Sequence, residues 1–193
     1  MKTKKTKESL IASTQELLWK RGYVGMSPKA ILKHSGVGQG SLYHHFAGKA
    51  ELSSAAIRRS AENLEAQATT QLMTAGTAID KIMAFLQRKR DVLRGCPIGR
   101  LAQDPEIISI DMLSQPLAES FESIRQQLID ILTQGIARHE LHEDLDVRCT
   151  ADLILSTLQG GYVLARAANS ETPFHNAIQG LKALLSKSVQ TRA

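Results

Sequence analysis

Apolar residues recur along this chain at intervals of three and four. Sustained alternation is absent, so the pattern predicts helices and no sheet. Leu10, Ile11, Thr14, Leu17 and Leu18 make one stripe of a helix expected over residues 6–23, stopped at Gly22. Glu8 falls in its first turn, where a carboxylate suits the helix dipole. Ser27 and Pro28 are an N-cap type and a first-turn residue, and Ile31, Leu32 and Ser35 follow at helical spacing. Gly36 suits the left-handed conformation that ends a helix, and Val37 re-enters the core. From Gln39 to about His45 a further short helix sets Leu42 and Phe46 on one side. Gln39, Ser41, Tyr43 and His44 point more or less outward. A long helix then starts near Lys49 and runs to about Met73, before a break at Gly76.

Thr77 and Asp80 approximate a capping box. Ile79, Ile82, Met83, Leu86 and Leu93 stripe a helix expected to last until Gly95-Cys96-Pro97. Arg88, Lys89, Arg90 and Asp91 read as a solvated turn of it. Pro97, Pro105 and Pro116 break up residues 96–116, yet Ile107, Ile108, Ile110, Met112 and Leu113 are too apolar for a surface loop. Such a segment is either a pocket wall or core around a kink. Ser114 and Pro116 open a helix to about His139, Asp146 caps one to about Asn169, and Thr172-Pro173 starts the last. Between Leu153 and Ala168 the chain is apolar on almost every side, and Gly160-Gly161 permits close backbone approach. An all-round apolar helix must be covered, which points to a helix-bundle interface with a second copy.

Charge sharpens this picture. Residues 1–52 carry nine Lys/Arg and three acids, a net +6, while residues 53–193 carry a net −1. The positive excess surrounds residues 27–46, two short helices joined by a glycine turn. That combination is a helix-turn-helix whose second helix enters the DNA major groove, flanked by a phosphate-binding face. No apolar run reaches the ~20 residues of a membrane span, and no signal-peptide stretch follows Met1. Two cysteines, Cys96 and Cys149, are too few for a disulfide scaffold, so a reducing cytoplasm is expected. No nucleophile–base pair, phosphate loop or zinc-ligand set stands out. The expectation is therefore no enzyme, no cofactor and no metal. His139 and His142 read as solvated, and the rings of His44 and His45 are expected to point apart.

Gly36-Val37, Gly40-Ser41-Leu42-Tyr43-His44-His45-Phe46 and Lys49-Ala50-Glu51-Leu52 resemble the signature of tetracycline-repressor-type (TetR) regulators. The signature covers about the first quarter of the chain. The resemblance implies an all-α fold. A three-helix helix-turn-helix domain (1–48) would be joined to a helical ligand-binding and dimerisation domain (49–193). It implies a homodimeric repressor on a pseudo-palindromic double-stranded operator, released by an unknown small-molecule effector, with the long helix after Lys49 as the lever. It places Ser27, Lys29, Tyr43, His44 and Lys49 at phosphate or sugar and Gln39 and Ser41 at or near bases. Gly40 lets the backbone come close. Gln39 can present a bidentate amide to adenine. Gly38, Gln39, His45, Gly48, Ala50 and Leu32 depart from the usual pattern, which leaves the base preference open.

Candidate pocket residues are Phe85, Met112, Phe121, Tyr162 and Arg166. Tyr162 and Arg166 lie four apart, and an arginine in an apolar helix needs a partner, either an acid or a ligand. Cys96, with Arg94 and Arg100 nearby in sequence, is a candidate redox or electrophile sensor, because cations raise thiol reactivity. Cys149 reads as packing. Besides a ligand-released repressor, the alternatives are a repressor sensing through Cys96 and an effector-free DNA-binding protein.

Overall fold

The computed structural model describes residues 2–189, with side chains from Lys4 onward, so the side chain of Lys2 in the basic tail lies outside the description. Among the described residues the helices are α1 (Lys2–Arg21), α2 (Pro28–Ser35), α3 (Gln39–His45), α4 (Lys49–Leu72), α5 (Ala78–Gln87), α6 (Pro105–Ile108), α7 (Asp111–Ala137), α8 (Val147–Ala168) and α9 (Thr172–Ser186). They contain no strand. A bridge pairs Leu141 with Val189, where the His142 N–H donates to the Ser188 carbonyl at 3.0 Å. The chain forms two compact units, Met1–Leu64 with Pro97–Ser120, and Glu65–Cys96 with Phe121–Ala193. This grouping differs from a cut between residues 48 and 49, since α4 and α7 each contribute to both units.

In the first unit, Leu10, Leu18, Ile31, Leu42, Phe46 and Leu52 are buried and hold α1 to α4 together. Ser27 caps α2 by accepting the Ala30 N–H at 3.2 Å, and Gly36 ends it with φ +67°. The Ser9 hydroxyl donates to the Ser35 carbonyl at 3.1 Å. Helix α3 has no side-chain cap, because Gly38 stands at its N-cap. At the start of α4, Glu51 does what Gly48 cannot: its carboxylate accepts the Ala47 N–H at 2.6 Å. Since α1 starts at Lys2 and not near Thr6, Glu8 sits beyond the first turn. It pairs with Arg59 at 2.6 Å, and that hydrogen bond is the main cause holding its carboxyl below the usual range.

Residues 97–120 are core of this first unit. Ile98, Leu101, Ile107, Leu113 and Leu117 are at most 2% exposed. The segment also closes the C-terminal end of α1. Arg100 Nη1 donates to the carbonyls of Trp19 and Lys20 at 2.5 and 3.3 Å, and Asp104 accepts the Tyr23 N–H at 2.9 Å. Helix α7 begins at Asp111, ahead of the expected Ser114, and Pro116 lies inside it. Proline has no N–H for the Met112 carbonyl four residues back. The Ser54 hydroxyl replaces it at 2.9 Å.

In the second unit the capping box is present. Thr77 accepts the Asp80 N–H at 3.2 Å and its own N–H donates to Asp80 at 2.9 Å. Helix α5 ends at Gln87, short of the expected Leu93. The cause is Arg90, whose guanidinium folds back and donates to the carbonyls of Phe85 at 2.5 Å and Arg88 at 3.1 Å. These are groups the next helical turn would otherwise satisfy. Asp146 caps α8 through the N–H groups of Arg148 and Cys149, both at 3.0 Å. Cys149 is exposed there and is not packing; its hydrogen bond with Asp146 and that carboxylate's charge push its thiol pKa up. Gly161 faces α9, where a Cβ would meet the Phe174 ring at 3.0 Å. Leu153, Val163 and Leu164 of α8 and Leu184 of α9 remain exposed.

Two stability changes follow from these caps. Ser54→Ala leaves the Met112 carbonyl short of a donor and is expected to cost about 1 kcal/mol. Gly38 has extended backbone and nothing within 4 Å of a Cβ. Gly38→Ser is therefore expected to add roughly 0.5 kcal/mol by capping α3. Urea unfolding checks both, and an unchanged midpoint in either variant contradicts the corresponding cap.

Candidate DNA interface and ligand site

The surface of α3 is built by its own short length. Leu42 is buried, as is Phe46 at the C-cap, and these anchor one side. On the other, Gln39, Gly40, Tyr43 and His44 are exposed and Ser41 is half-buried. Tyr43 is 54% exposed, an unusual position for an aromatic with no solvent role. A Cβ on Gly40 would meet nothing within 4 Å, so the helix backbone is open to a large partner there. The rings of His44 and His45 do not point apart. They meet edge to face with centroids 4.9 Å apart.

Ser27 is exposed at the N-terminus of α2, its hydroxyl already engaged as the cap, and Lys29 is exposed on the first turn. Lys49, half-buried at the start of α4, holds its ammonium 3.9 Å from the centre of the Tyr23 ring. Burial, with Glu106 and Asp104 behind it, raises the Tyr23 pKa, so the phenol stays neutral beneath that cation. Lys7 stands over Phe46 at 5.6 Å, a pairing that sequence periodicity does not reveal. These candidate DNA residues all belong to the first unit, whose N-terminal stretch holds the chain's positive excess.

The candidate ligand residues do not gather in one place. Phe85, Cys96 and Tyr162 are buried members of the second unit. Arg90 joins two of them, donating to the Phe85 carbonyl and, at 3.2 Å, to the Tyr162 hydroxyl. Cys96 lies near enough to Tyr162 and Arg88 for a charge on its sulfur to act on both. Met112 belongs to the first unit with an exposed side chain. Phe121 is half-buried. Arg166 is exposed, its Cδ 3.6 Å from where a Gly95 Cβ would stand, so solvent supplies the partner that an apolar setting would have demanded. Arg100, adjacent to Cys96 in sequence, is committed to the end of α1. His139 and His142 are exposed, and among the described residues no three His, Cys, Asp or Glu side chains converge on a metal site.

Sequence patterning missed Arg88 and Arg90. Both are half-buried where a solvated turn was expected. The one available signal was a basic run directly after a strongly apolar helix, and charge runs of that kind more often face water.

Comparison with known proteins bears on both regions. Residues 10–56 match the family described as bacterial regulatory proteins, tetR family, and residues 76–181 match the tetracyclin repressor-like C-terminal domain. The HTH-type transcriptional repressor NemR of Escherichia coli is 25% identical over 188 residues, 94% of each chain. The HTH-type transcriptional regulator LmrA of Bacillus subtilis is 23% identical over 175 residues, 87% of this chain and 90% of that one. A TetR transcriptional regulator from Chloroflexus aurantiacus superposes with a TM-score of 0.90 at 27% identity over 99% of both chains. The reduced form of E. coli NemR gives 0.83 at 24% identity, over 97% of this chain and 99% of that one. Among the described residues no helix is long and apolar enough to cross a membrane. With an exposed recognition helix in a basic head and matches over both the head and the following helices, this chain belongs to the TetR family of transcriptional regulators, a non-enzymatic family.

Proposed function

We propose that the protein is a cytoplasmic homodimeric repressor that binds a pseudo-palindromic operator and leaves it when a small molecule occupies the helical region. The observation that carries the DNA half of this reading is α3. One side is buried as core, and the other presents Gln39, Gly40, Tyr43 and His44 to solvent. Residues 1–48 are the reading head and 49–193 the effector and dimer part. Lys29, Tyr43, His44, Lys49 and the α2 N-terminus at Ser27 hold phosphates or sugars, while Gln39 and Ser41 face base edges across the backbone at Gly40. That the relative NemR is named a repressor supports the direction of control.

Residues 146–189 supply the dimer contact in this reading. Leu153, Gly160, Val163, Leu164 and Ala167 share one exposed side of α8, and Gly180, Ala183 and Leu184 share one of α9. An apolar stripe of this length stays dry only against another surface. Gly160 is the outward glycine, and Gly161 is packed within the chain against Phe174.

Phe85, Cys96 and Tyr162 are the part of the effector set that shares a neighbourhood. Sensing by covalent change at Cys96 has less support than reversible binding, because the thiol is only 6% exposed. The E. coli NemR structure matched here is of its reduced form, a fact about that protein.

Lys29→Ala is expected to weaken binding to every duplex and to lower the slope of log affinity against log salt by about 1. Gln39→Ala is expected to cost about 1–3 kcal/mol at one base pair of each half-site and little on other sequences. Fluorescence anisotropy with DNA from upstream of the reading frame, at several salt concentrations, measures both; affinities unchanged throughout would overturn the head's assignment. Leu164→Glu with Leu184→Glu should give a folded monomer in sedimentation velocity that binds operator at least tenfold more weakly. A dimer at micromolar concentration would displace the interface to another surface.

A further inference from the structure

The second unit holds two half-buried guanidinium groups with no counter-charge. Arg88 Nε is shut off from solvent and has no acceptor. The Arg88 hydrogen bond that is formed goes from Nη1 to the amide oxygen of Gln67. Among the described residues neither Arg88 nor Arg90 is paired with a carboxylate. Arg90 uses one N–H on each nitrogen, toward Arg88 O, Tyr162 Oη and Phe85 O. A guanidinium has five N–H donors, so one on each of its terminal nitrogens is still uncommitted. Its carbon lies 5.7 Å from the Phe174 ring centre and 6.0 Å from that of Tyr162. Those two rings pack together at 5.0 Å.

Burying one cation without a partner is costly, and placing a second beside it adds repulsion. The molecule registers both effects: burial first, then the Arg90 charge, pushes the Arg88 pKa down. Burial likewise raises the Tyr162 pKa, so its hydroxyl keeps its proton as a donor. A structural role explains Arg90, which terminates α5 and lies against the aromatic pair. It does not explain Arg88, whose charge satisfies nothing around it.

We propose that Arg88, Arg90 and Tyr162 form the head-group site for an organic anion, a carboxylate on an apolar body, which is the effector. The Arg88 guanidinium is held through Gln67 alone, so a small turn brings its Nε–H and Nη2 edge to a carboxylate in the bidentate arrangement that suits this pair. The free N–H groups of Arg90 and the Tyr162 hydroxyl donate to the same anion. The Tyr162 and Phe174 rings provide apolar surface beside it, where a bare inorganic anion would leave that surface without a partner. This inference rests on the ligand-released reading above and names its ligand class.

The test titrates the full chain with 2-naphthoate and decanoate, with 2-naphthamide and decanamide as neutral matches, and with inorganic phosphate at constant ionic strength. Calorimetry reads binding, and anisotropy reads release of operator DNA. The expected result is carboxylate binding at least tenfold tighter than the amides and tighter than phosphate. Arg88→Met should lose at least tenfold in carboxylate affinity while melting at or above the parent temperature, because an unpaired buried charge has gone. Arg88→Lys should recover only part of the affinity, since it keeps the charge without the fork.

Equal binding of acids and amides, phosphate binding as tight as the carboxylates, no carboxylate binding, or full affinity in a folded Arg88→Met each overturns the proposal. If neutral compounds release the operator and the acids do not, this site is wrong and ligand-released repression stands. If the acids bind through Arg88 without affecting DNA affinity, the site stands and that wider reading fails.

Discussion

The DNA-reading end depends on how α1 is finished. Helix α1 carries much of the head's core, yet its last carbonyls cannot be met by a chain that turns away at Gly22. Arg100 and Asp104, from a segment far along the chain, supply both signs of the missing bonding: a guanidinium for the carbonyls of Trp19 and Lys20, and a carboxylate for the Tyr23 N–H. The same segment brings Ile98, Leu101, Ile107 and Leu113 into the core. A head of about fifty residues has little apolar surface to bury by itself. Here residues 97–120 enlarge it. That explains why a stretch broken by prolines is so apolar.

Most of the helical architecture was legible because its signals are local. Gly36, the Thr77–Asp80 pair, Asp146 and Thr172-Pro173 mark helix ends through chemistry confined to a few residues, and the structure shows helix ends beside each of them. The recognition helix was legible for the same reason, since Leu42 and Phe46 alone decide which side faces inward. What escaped was non-local. The end of α5 is set by a side chain folding back from Arg90, with no glycine or proline to announce it. The start of α7 tolerates Pro116 because Ser54, more than fifty positions earlier, meets the stranded carbonyl. The candidate ligand set suffered similarly. Met112 and Phe121 were chosen for chemical type in an irregular region, and type alone cannot say which unit a residue joins. Arg88-Lys89-Arg90 reads identically whether it is hydrated or turned inward.

The two glycines of α8 show how one short motif can serve two faces. Adjacent positions on a helix point about 100° apart. Gly161 therefore lets α9 approach closely enough for Phe174 to sit against the α8 backbone, while Gly160 remains on the open side. The α8–α9 pair is thus tightly joined within one chain, and the surface formed by Leu153, Val163, Leu164 and Leu184 is displayed by two helices held in fixed relation.

Lysine normally surrenders a large share of its rotamer freedom when it settles into any contact, up to about 2 kcal/mol. Lys49 has already settled. Its ammonium rests above Tyr23, on a helix that Glu51 fastens at the first turn. A charge parked in this way is preorganised: most of the disorder it has to lose was lost when the head folded, and whatever anion meets it later encounters a group that no longer needs to be caught.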